Sequence, residues 1–278
     1  MTASQSGIYA MATKTEGSTR PLDRIDTSAR FTESDAIRLN RMFRGQDTLE
    51  MLTSTLKDSL AGDVAIVSSF GAESAVLLHL VAQIDKSVPV LFLDTAKHFP
   101  ETIAYRDKLV AHLGLTNLVI LTPDAEELAK KDEAGLRWSW DPDGCCDIRK
   151  VKPLEKALAD YDATITGRKA FQSSTRAQLP RFEIDNSDAQ GRLKINPLID
   201  WKAEDITAYM EEHDLPRHPL VAEGYPSIGC SPCTHKVAPG EDPRSGRWKG
   251  WDKVECGIHS PNNPDAYKQP PEGFDPAV

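Results

Sequence analysis

The chain has 278 residues, of which 40% are hydrophobic and 27% are charged, a composition typical of soluble globular proteins with one large domain. Its formal net charge of −9 argues against nonspecific nucleic-acid binding. No apolar run approaches the ~18 residues that span a bilayer. We therefore expect a cytoplasmic protein without nucleic-acid or membrane partners. The sequence does not fix the oligomeric state and is compatible with a homo-oligomer.

Strand and helix patterns alternate from residue 46 onward. Apolar, often β-branched runs predict five buried strands at 63–70, 88–95, 117–122, 162–166 and 193–199. Apolar spacing predicts helices at 46–60, 73–84, 100–113, from about residue 145, and at 203–213. Because nearly all-apolar strands alternate with helices, we predict an α/β fold. It has a mainly parallel sheet of five to six strands, with helices on both faces.

Composition divides the chain into three parts. Residues 1–45 are predicted to be an N-terminal extension that is partly disordered, because the first stretch is polar. Residues 46–228 are predicted to form the α/β core. Residues 229–278, rich in Gly, Pro, Cys and Trp at their start, are predicted to form a cysteine-containing segment with a flexible C-terminal tail.

A loop of small residues joins the first predicted core strand to the helix at 73–84. The loop, which includes Ser68, Ser69, Gly71 and Glu73, is a candidate site for phosphate, because its small residues would let backbone N–H groups approach an anion. Ligands of parallel sheets bind at the carboxyl ends of strands, where a helix N-terminus attracts anions. The loop is neither a Walker A motif nor the dinucleotide fingerprint, and the alternative is an ordinary turn. Asp94 and Thr95, at the end of the next strand, are candidates for binding phosphate or ribose, or for capping a turn.

Four of the five cysteines form two close pairs, Cys145-Cys146 and Cys230 with Cys233. Four thiolates suit zinc or an iron–sulfur cluster. Adjacent helical residues point about 100° apart, which favours a cluster with several irons over one small ion. Inert buried pairs or a transient disulfide are the alternatives. Lys150 follows Cys146 by one helical turn, so that its ammonium group would offset the negative charge of a cluster.

The fifth cysteine, Cys256, lies in the segment Glu-Cys-Gly-Ile-His near the end of the chain. A thiol left over from a metal centre is a candidate nucleophile. Gly257 and the following Pro- and Asn-rich residues suit a mobile tail that carries it. His259 is a candidate proton donor or acceptor, although a histidine at this spacing is often incidental.

With these motifs in this order, the chain resembles the assimilatory adenylyl-sulfate (APS) reductases. They form the iron–sulfur branch of the PAPS/APS reductase family, within the PP-loop adenine-nucleotide α-hydrolase-like superfamily. The resemblance implies that residues 46–228 bind an adenine nucleotide and that the two cysteine pairs hold a [4Fe–4S] cluster near Lys150. It also implies that Arg244 and Arg247 engage the phosphosulfate. The family's Thr-Gly-x-Arg segment matches Thr166 to Lys169, so that either Arg168 or Lys169 faces the substrate.

The resemblance further implies a thioredoxin-dependent reduction of adenosine 5′-phosphosulfate to sulfite and AMP, in assimilatory sulfate reduction and cysteine biosynthesis. Cys256 would attack the sulfate sulfur and form an S-sulfocysteine intermediate, while Lys150 and the arginines offset charge. A thioredoxin or glutaredoxin-like protein would then release sulfite by thiol–disulfide exchange. Because no thioredoxin-like domain is found in the chain, we expect this reductant to be a separate protein.

Three other functions are compatible with the motifs. A PAPS reductase, or an enzyme that uses both nucleotides, would act on the 3′-phosphorylated substrate. A PP-loop ATP pyrophosphatase with a four-cysteine zinc site would contain zinc and leave Cys256 without a role. An iron–sulfur sensor would bind an adenylate without turnover.

Overall fold

The computed structural model describes residues 30–188, 190–253 and 255–259. Its strands form one six-stranded sheet in the order β3-β2-β1-β4-β6-β5. All neighbouring pairs are parallel except β5 and β6, which are antiparallel. The strands are β1 (Val64–Val67), β2 (Val90–Leu93), β3 (Leu118–Leu121), β4 (Ala163–Thr166), β5 (Phe182–Ile184) and β6 (Leu193–Ile195). The mainly parallel α/β architecture predicted from the sequence is confirmed.

Helices connect and cover the strands. Their bounds are α1 (Glu33–Met42), α2 (Thr48–Lys57), α3 (Ser74–Ile84), α4 (Pro100–Leu113), α5 (Ala125–Lys131), α6 (Pro142–Cys146), α7 (Lys152–Leu158), α8 (Ala203–Glu212) and α9 (Pro219–Ala222). In the described part of the chain, no helix is long and apolar enough to cross a membrane.

Two hydrophobic clusters lie on opposite faces of the sheet. Ile66 and Phe92 belong to the larger cluster, which also contains buried residues of α2, α3, α4 and α8. Ala65 and Leu91, one residue earlier on the same strands, belong to the smaller cluster with residues of α7. Successive side chains of a strand point to opposite faces, which is why neighbours separate in this way. The central strands β2 and β4 are thus buried on both sides, as their apolar sequences predict, whereas the edge strand β3 is partly exposed.

Four of the named elements were not predicted: the short helices α5 and α9, the edge strand β5, and helix α1. The edge strand β5 has only three residues, and its alternation is too short to distinguish it from a loop. Helix α1 is polar on average, but it buries Ala36 and Leu39, and Thr32 with Asp35 forms a capping box at its start. The described part of the predicted N-terminal extension therefore packs on the core, against β5. The domain boundaries at residues 45 and 228 stay predictions, and the tail beyond residue 259 lies outside the described residues.

The helix predicted from about residue 145 begins earlier and is irregular. Pro142 opens α6, and Asp141 caps it by accepting a hydrogen bond from the Gly144 N–H at 2.9 Å. A π-helical turn over Asp147–Val151 then joins α6 to α7. Such wide turns occur frequently at functional sites because they redirect side chains. This turn contains Lys150 and directly follows the vicinal cysteines.

Candidate active site

A cavity of about 460 Å³ lies at the carboxyl ends of β1, β2 and β4. The loop after β1, the turn after β4 and the C-terminal segment form its walls. This is the position at which parallel sheets bind ligands. The site residues predicted from the sequence that line it are Ser68, Ser69, Gly71, Glu73, Lys150, Arg168, Lys169, Arg244, Arg247 and Cys256.

Hydrogen bonds between near neighbours hold the loop after β1 in a tight turn. Ser68 Oγ accepts from the Phe70 N–H at 3.2 Å, and Ser74 Oγ donates to the Gly71 carbonyl at 2.7 Å. Phe70 has a φ of 47°, a left-handed conformation that few side chains adopt outside a constrained turn. A Cβ on Gly71 would lie 3.3 Å from the Ile228 carbonyl oxygen, so the loop packs tightly against the C-terminal segment. The N-terminus of α3 directly follows, as an anion site requires.

Asp94 and Thr95 do not line this cavity. Asp94 Oδ1 accepts from the Ala96 N–H at 3.0 Å, in a turn where Ala96 has a φ of 54°. Thr95 is fully buried, and its Oγ1 lies 3.3 Å from Cys230 Sγ. Both residues stabilise the turn after β2, which was the alternative to substrate binding for them.

The two basic residues after β4 have different partners. Arg168 is held by Thr166 Oγ1 at 3.2 Å, Asn196 Oδ1 at 3.1 Å and an ion pair with Glu183. Lys169 donates to Glu73 Oε2 at 2.8 Å, which ties it to the phosphate loop. Burial lowers the pKa of both groups, while the carboxylate partner of each opposes that shift. Lys169 is therefore the residue of this pair that contacts the loop.

Arg247 points into the site with part of its guanidinium unsatisfied. Its Nε is buried and has no hydrogen-bond partner among the described residues. Its Cζ lies 4.5 Å from the centroid of the Trp248 ring, a cation–π contact. A buried donor without a partner costs free energy, so this arginine is suited to an anionic ligand.

Cys256 lies beside Cys146 and two lysines on the cavity wall. A hydrogen bond from the Cys146 thiol and the charges of Lys150 and Lys253 hold the pKa of Cys256 well below its usual value, against the effect of burial. Burial alone would lower the pKa of Lys150, but the neighbouring sulfurs of Cys230, Cys256 and Cys146 raise it instead. With Cys146 protonated, the site therefore favours a thiolate at Cys256 next to an ammonium group. The side chain of His259 lies outside the described residues.

The four paired cysteines line a second, small cavity next to the first. Cys145 and Cys146 come from the end of α6, and Cys230 and Cys233 flank a 3-10 turn in the C-terminal segment. All are free thiols. Lys150 also lines this cavity, and so does Arg149, whose guanidinium is paired with the Asp132 carboxylate.

Four soft sulfur ligands with adjacent cations are a donor set that fits an iron–sulfur cluster. Among the described residues, no three His, Cys, Asp or Glu side chains are arranged to hold a metal ion as they stand.

A family model for the phosphoadenosine phosphosulfate reductase domain matches residues 63–236, more than half of the chain. The chain belongs to this reductase family. It is 49% identical over 240 residues to the adenosine 5′-phosphosulfate reductase of Mesorhizobium japonicum, covering 86% of this chain and 93% of that protein. It is 53% identical over 213 residues to the enzyme of the same name from a Chelativorans species, covering 77% and 84%.

A solved structure has the same fold. The phosphoadenylyl-sulfate reductase of Candida auris, crystallised with phosphate, superposes with a TM-score of 0.63 at 28% identity. The match covers 76% of this chain and all of that one. The recognised resemblance and the fold are thus both confirmed.

Three charged residues of this family member's site were not predicted. Arg176 and Glu255 line the large cavity and form an ion pair with 2.6 Å between Arg176 Nη2 and Glu255 Oε2. Lys253 pairs with Asp143 and lies close enough to Cys146 and Cys256 to interact with their charges. Glu255, next to Cys256 in the sequence, could have indicated a basic partner, but nothing in the sequence identified that partner as Arg176.

Proposed function

We propose that the chain is an adenosine 5′-phosphosulfate reductase, which converts its substrate to sulfite and AMP in assimilatory sulfate reduction and cysteine biosynthesis. One observation carries the proposal: Cys256 lines the same cavity as the phosphate loop, Lys150 and Arg247. A thiol, an anion-binding turn and buried cations are the parts that nucleophilic attack on an activated sulfate requires. The names of the curated relatives give independent support.

The first half-reaction forms a covalent intermediate. The Cys256 thiolate attacks the sulfate sulfur, the bond from that sulfur to the bridging oxygen breaks, and AMP leaves with the electron pair. Lys150, Arg244 and Arg247 offset the charge that develops on the transferred group and on the leaving phosphate. Ser68, Ser69 and Gly71 hold the nucleotide phosphate at the N-terminus of α3, and Lys169 supports the loop through Glu73.

The second half-reaction requires an external dithiol. A thiolate of a separate thioredoxin or glutaredoxin-like protein attacks the Cys256 sulfur and expels sulfite, which leaves a mixed disulfide. Its second thiol resolves that disulfide and restores the Cys256 thiol. Two electrons thus pass from the dithiol to sulfur. Since Cys256 is only partly exposed, the tail must open for this step.

We also propose that Cys145, Cys146, Cys230 and Cys233 hold a [4Fe–4S] cluster. The four thiols sharing one cavity with Arg149 and Lys150 support this assignment. When bound, such a cluster supplies a fixed negative charge and a link between α6 and the C-terminal segment. Lys150 lines both cavities, so this chain places one ammonium group between the cysteines and the substrate site.

The 3′-phosphorylated nucleotide is a second candidate substrate. The phosphoadenylyl-sulfate reductase of Candida auris, which is 28% identical to this chain, carries that nucleotide in its name and supports this candidate. The two substrates differ only in a ribose phosphate, so a comparison of kcat/KM for both nucleotides with the same reductant distinguishes them.

Mass spectrometry without reductant tests the proposed function. Anaerobically purified protein is mixed with adenosine 5′-phosphosulfate, and intact and peptide masses are measured. We expect one sulfonate adduct confined to Cys256 and release of AMP, with no adduct in Cys256→Ser. Iron and sulfide are quantified on the same sample. An intact protein that binds the nucleotide without forming an adduct would contradict the reductase, and zinc with ATP turnover would support the pyrophosphatase.

A further inference from the structure

Glu255, the residue before the nucleophile, is the most extensively bonded carboxylate at the cavity. The Arg176 guanidinium donates two hydrogen bonds to this carboxylate, from Nε to Oε1 at 2.7 Å and from Nη2 to Oε2 at 2.6 Å. Ser173 and Thr175 hydroxyls donate to Oε1 at 2.9 and 3.2 Å, and Arg244 Nη2 lies 3.6 Å from Oε2. The Glu255 and Arg176 side chains are only 10% and 9% exposed. A bidentate, buried pair fixes geometry as well as charge.

This ion pair continues into the phosphate loop. Arg176 Nη1 donates to Gln172 Oε1 at 2.6 Å, and Gln172 Nε2 donates to Glu73 Oε2 at 2.8 Å. Lys169 donates to the same Glu73 oxygen. An unbroken series of side chains therefore joins the residue beside the nucleophile to the turn that receives the nucleotide. The segment from Lys169 to Arg176 connects the two.

The bonding of the arginines separates their roles. The guanidinium of Arg176 donates hydrogen bonds to Glu255 and Gln172, which are both protein side chains. Arg247 instead keeps a buried Nε without a partner in the described chain. The first arrangement suits a residue that holds the tail, and the second suits a residue that binds substrate. Burial would raise the pKa of Glu255, but Arg176 and Arg244 together hold it below its usual value.

We propose that Glu255 is a positioning residue that latches the C-terminal segment closed through Arg176, so that Cys256 faces the substrate cavity. The latch is closed while Cys256 attacks the substrate, and it opens when the reductant must reach the sulfonated sulfur. It acts on Cys256 through the backbone and not on the reacting atoms. The proposal rests on the proposed function for its two half-reactions, but the closed tail itself is independent of that function.

Glu255→Gln tests the latch, because it removes the charge and keeps the shape. Asp252→Asn is the matched control: it makes the same chemical change three residues earlier, on an exposed side chain. All variants are compared as anaerobic holoproteins with equal iron content. The first readout is the rate at which iodoacetamide alkylates Cys256, measured by peptide mass spectrometry. We expect about a fivefold or greater increase for Glu255→Gln and no change for Asp252→Asn, since loss of a buried charge partner opens the contact.

The second readout separates the half-reactions. In single turnover without reductant, Glu255→Gln should form the S-sulfocysteine about tenfold or more slowly, because small misplacements of a nucleophile are costly. Thioredoxin should release sulfite from the isolated intermediate at least as fast as from the wild type. A residue with a general structural role would slow both steps. Arg176→Lys, which keeps the charge but not the bidentate grip, should give an intermediate effect on both readouts.

Equal alkylation rates in Glu255→Gln and Asp252→Asn would overturn the latch, as would equal slowing of the two half-reactions. If Glu255→Gln fails to fold, Arg176→Lys decides the question by the same criteria. Failure of the proposed function has a different signature: the wild type would form no sulfonate adduct, while the alkylation rates would still report whether the latch exists.

Discussion

Arg247 keeps its place because the residue beside its guanidinium has no side chain. A Cβ added to Gly229 would overlap Nη2 and approach Cζ at 2.7 Å, closer than real Cβ contacts. Gly229 does not require a left-handed backbone, so its importance is the space that it leaves. The atoms it would meet are the far end of a flexible side chain, which can move without disturbing the fold.

Gly229→Ala should therefore displace the guanidinium of Arg247 without unfolding the protein. We expect kcat/KM for adenosine 5′-phosphosulfate to fall on the order of 10- to 100-fold, as for other small misplacements at a reacting centre. The unfolding temperature should change by only a few degrees. A double-mutant cycle provides the control: in the Arg247→Ala background, Gly229→Ala should have little further effect. Additive losses would show that Gly229 acts through something other than Arg247.

For single residues, the sequence predicted which side chains belong to the site better than it predicted which side chains they contact. The loop residues, Lys150, the two C-terminal arginines and Cys256 were all named from motifs, and they line one cavity. Asp94 and Thr95, which were candidates for substrate binding or for capping a turn, do not line it and accept hydrogen bonds within the turn after β2. Arg176 was missed since its ion pair with Glu255 joins segments far apart in the chain.

Helix α9 begins at a titratable side chain, which caps its N-terminus. His218 is its N-cap, and Nδ1 accepts from the Leu220 N–H at 3.3 Å. The other nitrogen lies 3.0 Å from Thr102 Oγ1 on α4. Because Nδ1 accepts, the neutral tautomer carries its proton on Nε2. Burial lowers the pKa of His218 to about 4, and protonation of Nδ1 would remove the cap.

Stability should therefore fall as the pH decreases from about 6.5 to about 4. In that window the unfolded chain binds a proton at His218 and the folded chain does not, so the free energy of unfolding declines with falling pH and levels off below pH 4. The loss amounts to at most about 3 kcal/mol. Asn caps a helix without titrating, so urea unfolding of His218→Asn should lack this component. Parallel pH profiles for the two proteins would contradict the assignment.

The elements themselves were largely predictable, and the exceptions have physical reasons. Strands β1, β2, β3, β4 and β6 are indicated by apolar runs in the sequence. Strand β5 is stabilised by pairing with β6 and by packing of α1 rather than by its own pattern. The π-helical turn at Asp147–Val151 was not predicted, because no local propensity or spacing in the sequence distinguishes it from a regular α-helix.

At the scale of the molecule, the cysteine site joins the core to the C-terminal segment. Cys230 pairs with His98 after β2 in a short β-bridge, and the Ser231 N–H donates to the Lys97 carbonyl at 2.7 Å. The Cys233 carbonyl accepts from the Trp248 N–H at 3.1 Å, which extends the ordered segment to Arg247. A cofactor held by both cysteine pairs would thus fix the wall that carries the substrate-binding arginines.

Removal of the proposed cluster should therefore loosen one part of the molecule selectively. After anaerobic chelation, we expect amide hydrogen exchange to rise in residues 230–253 and to remain slow in β1 and β4, because the sheet has its own core. The unfolding temperature should fall by at least about 5 °C, since a ligand bound only by the folded state stabilises it. The holoprotein of Cys256→Ser is the control, because Cys256 is not a proposed ligand. Its iron content, its amide exchange rates in residues 230–253 and its unfolding temperature should equal those of the wild-type holoprotein. If chelation leaves exchange in residues 230–253 unchanged, the cofactor does not organise this wall. If Cys256→Ser loses iron, the division between four ligands and one nucleophile is wrong.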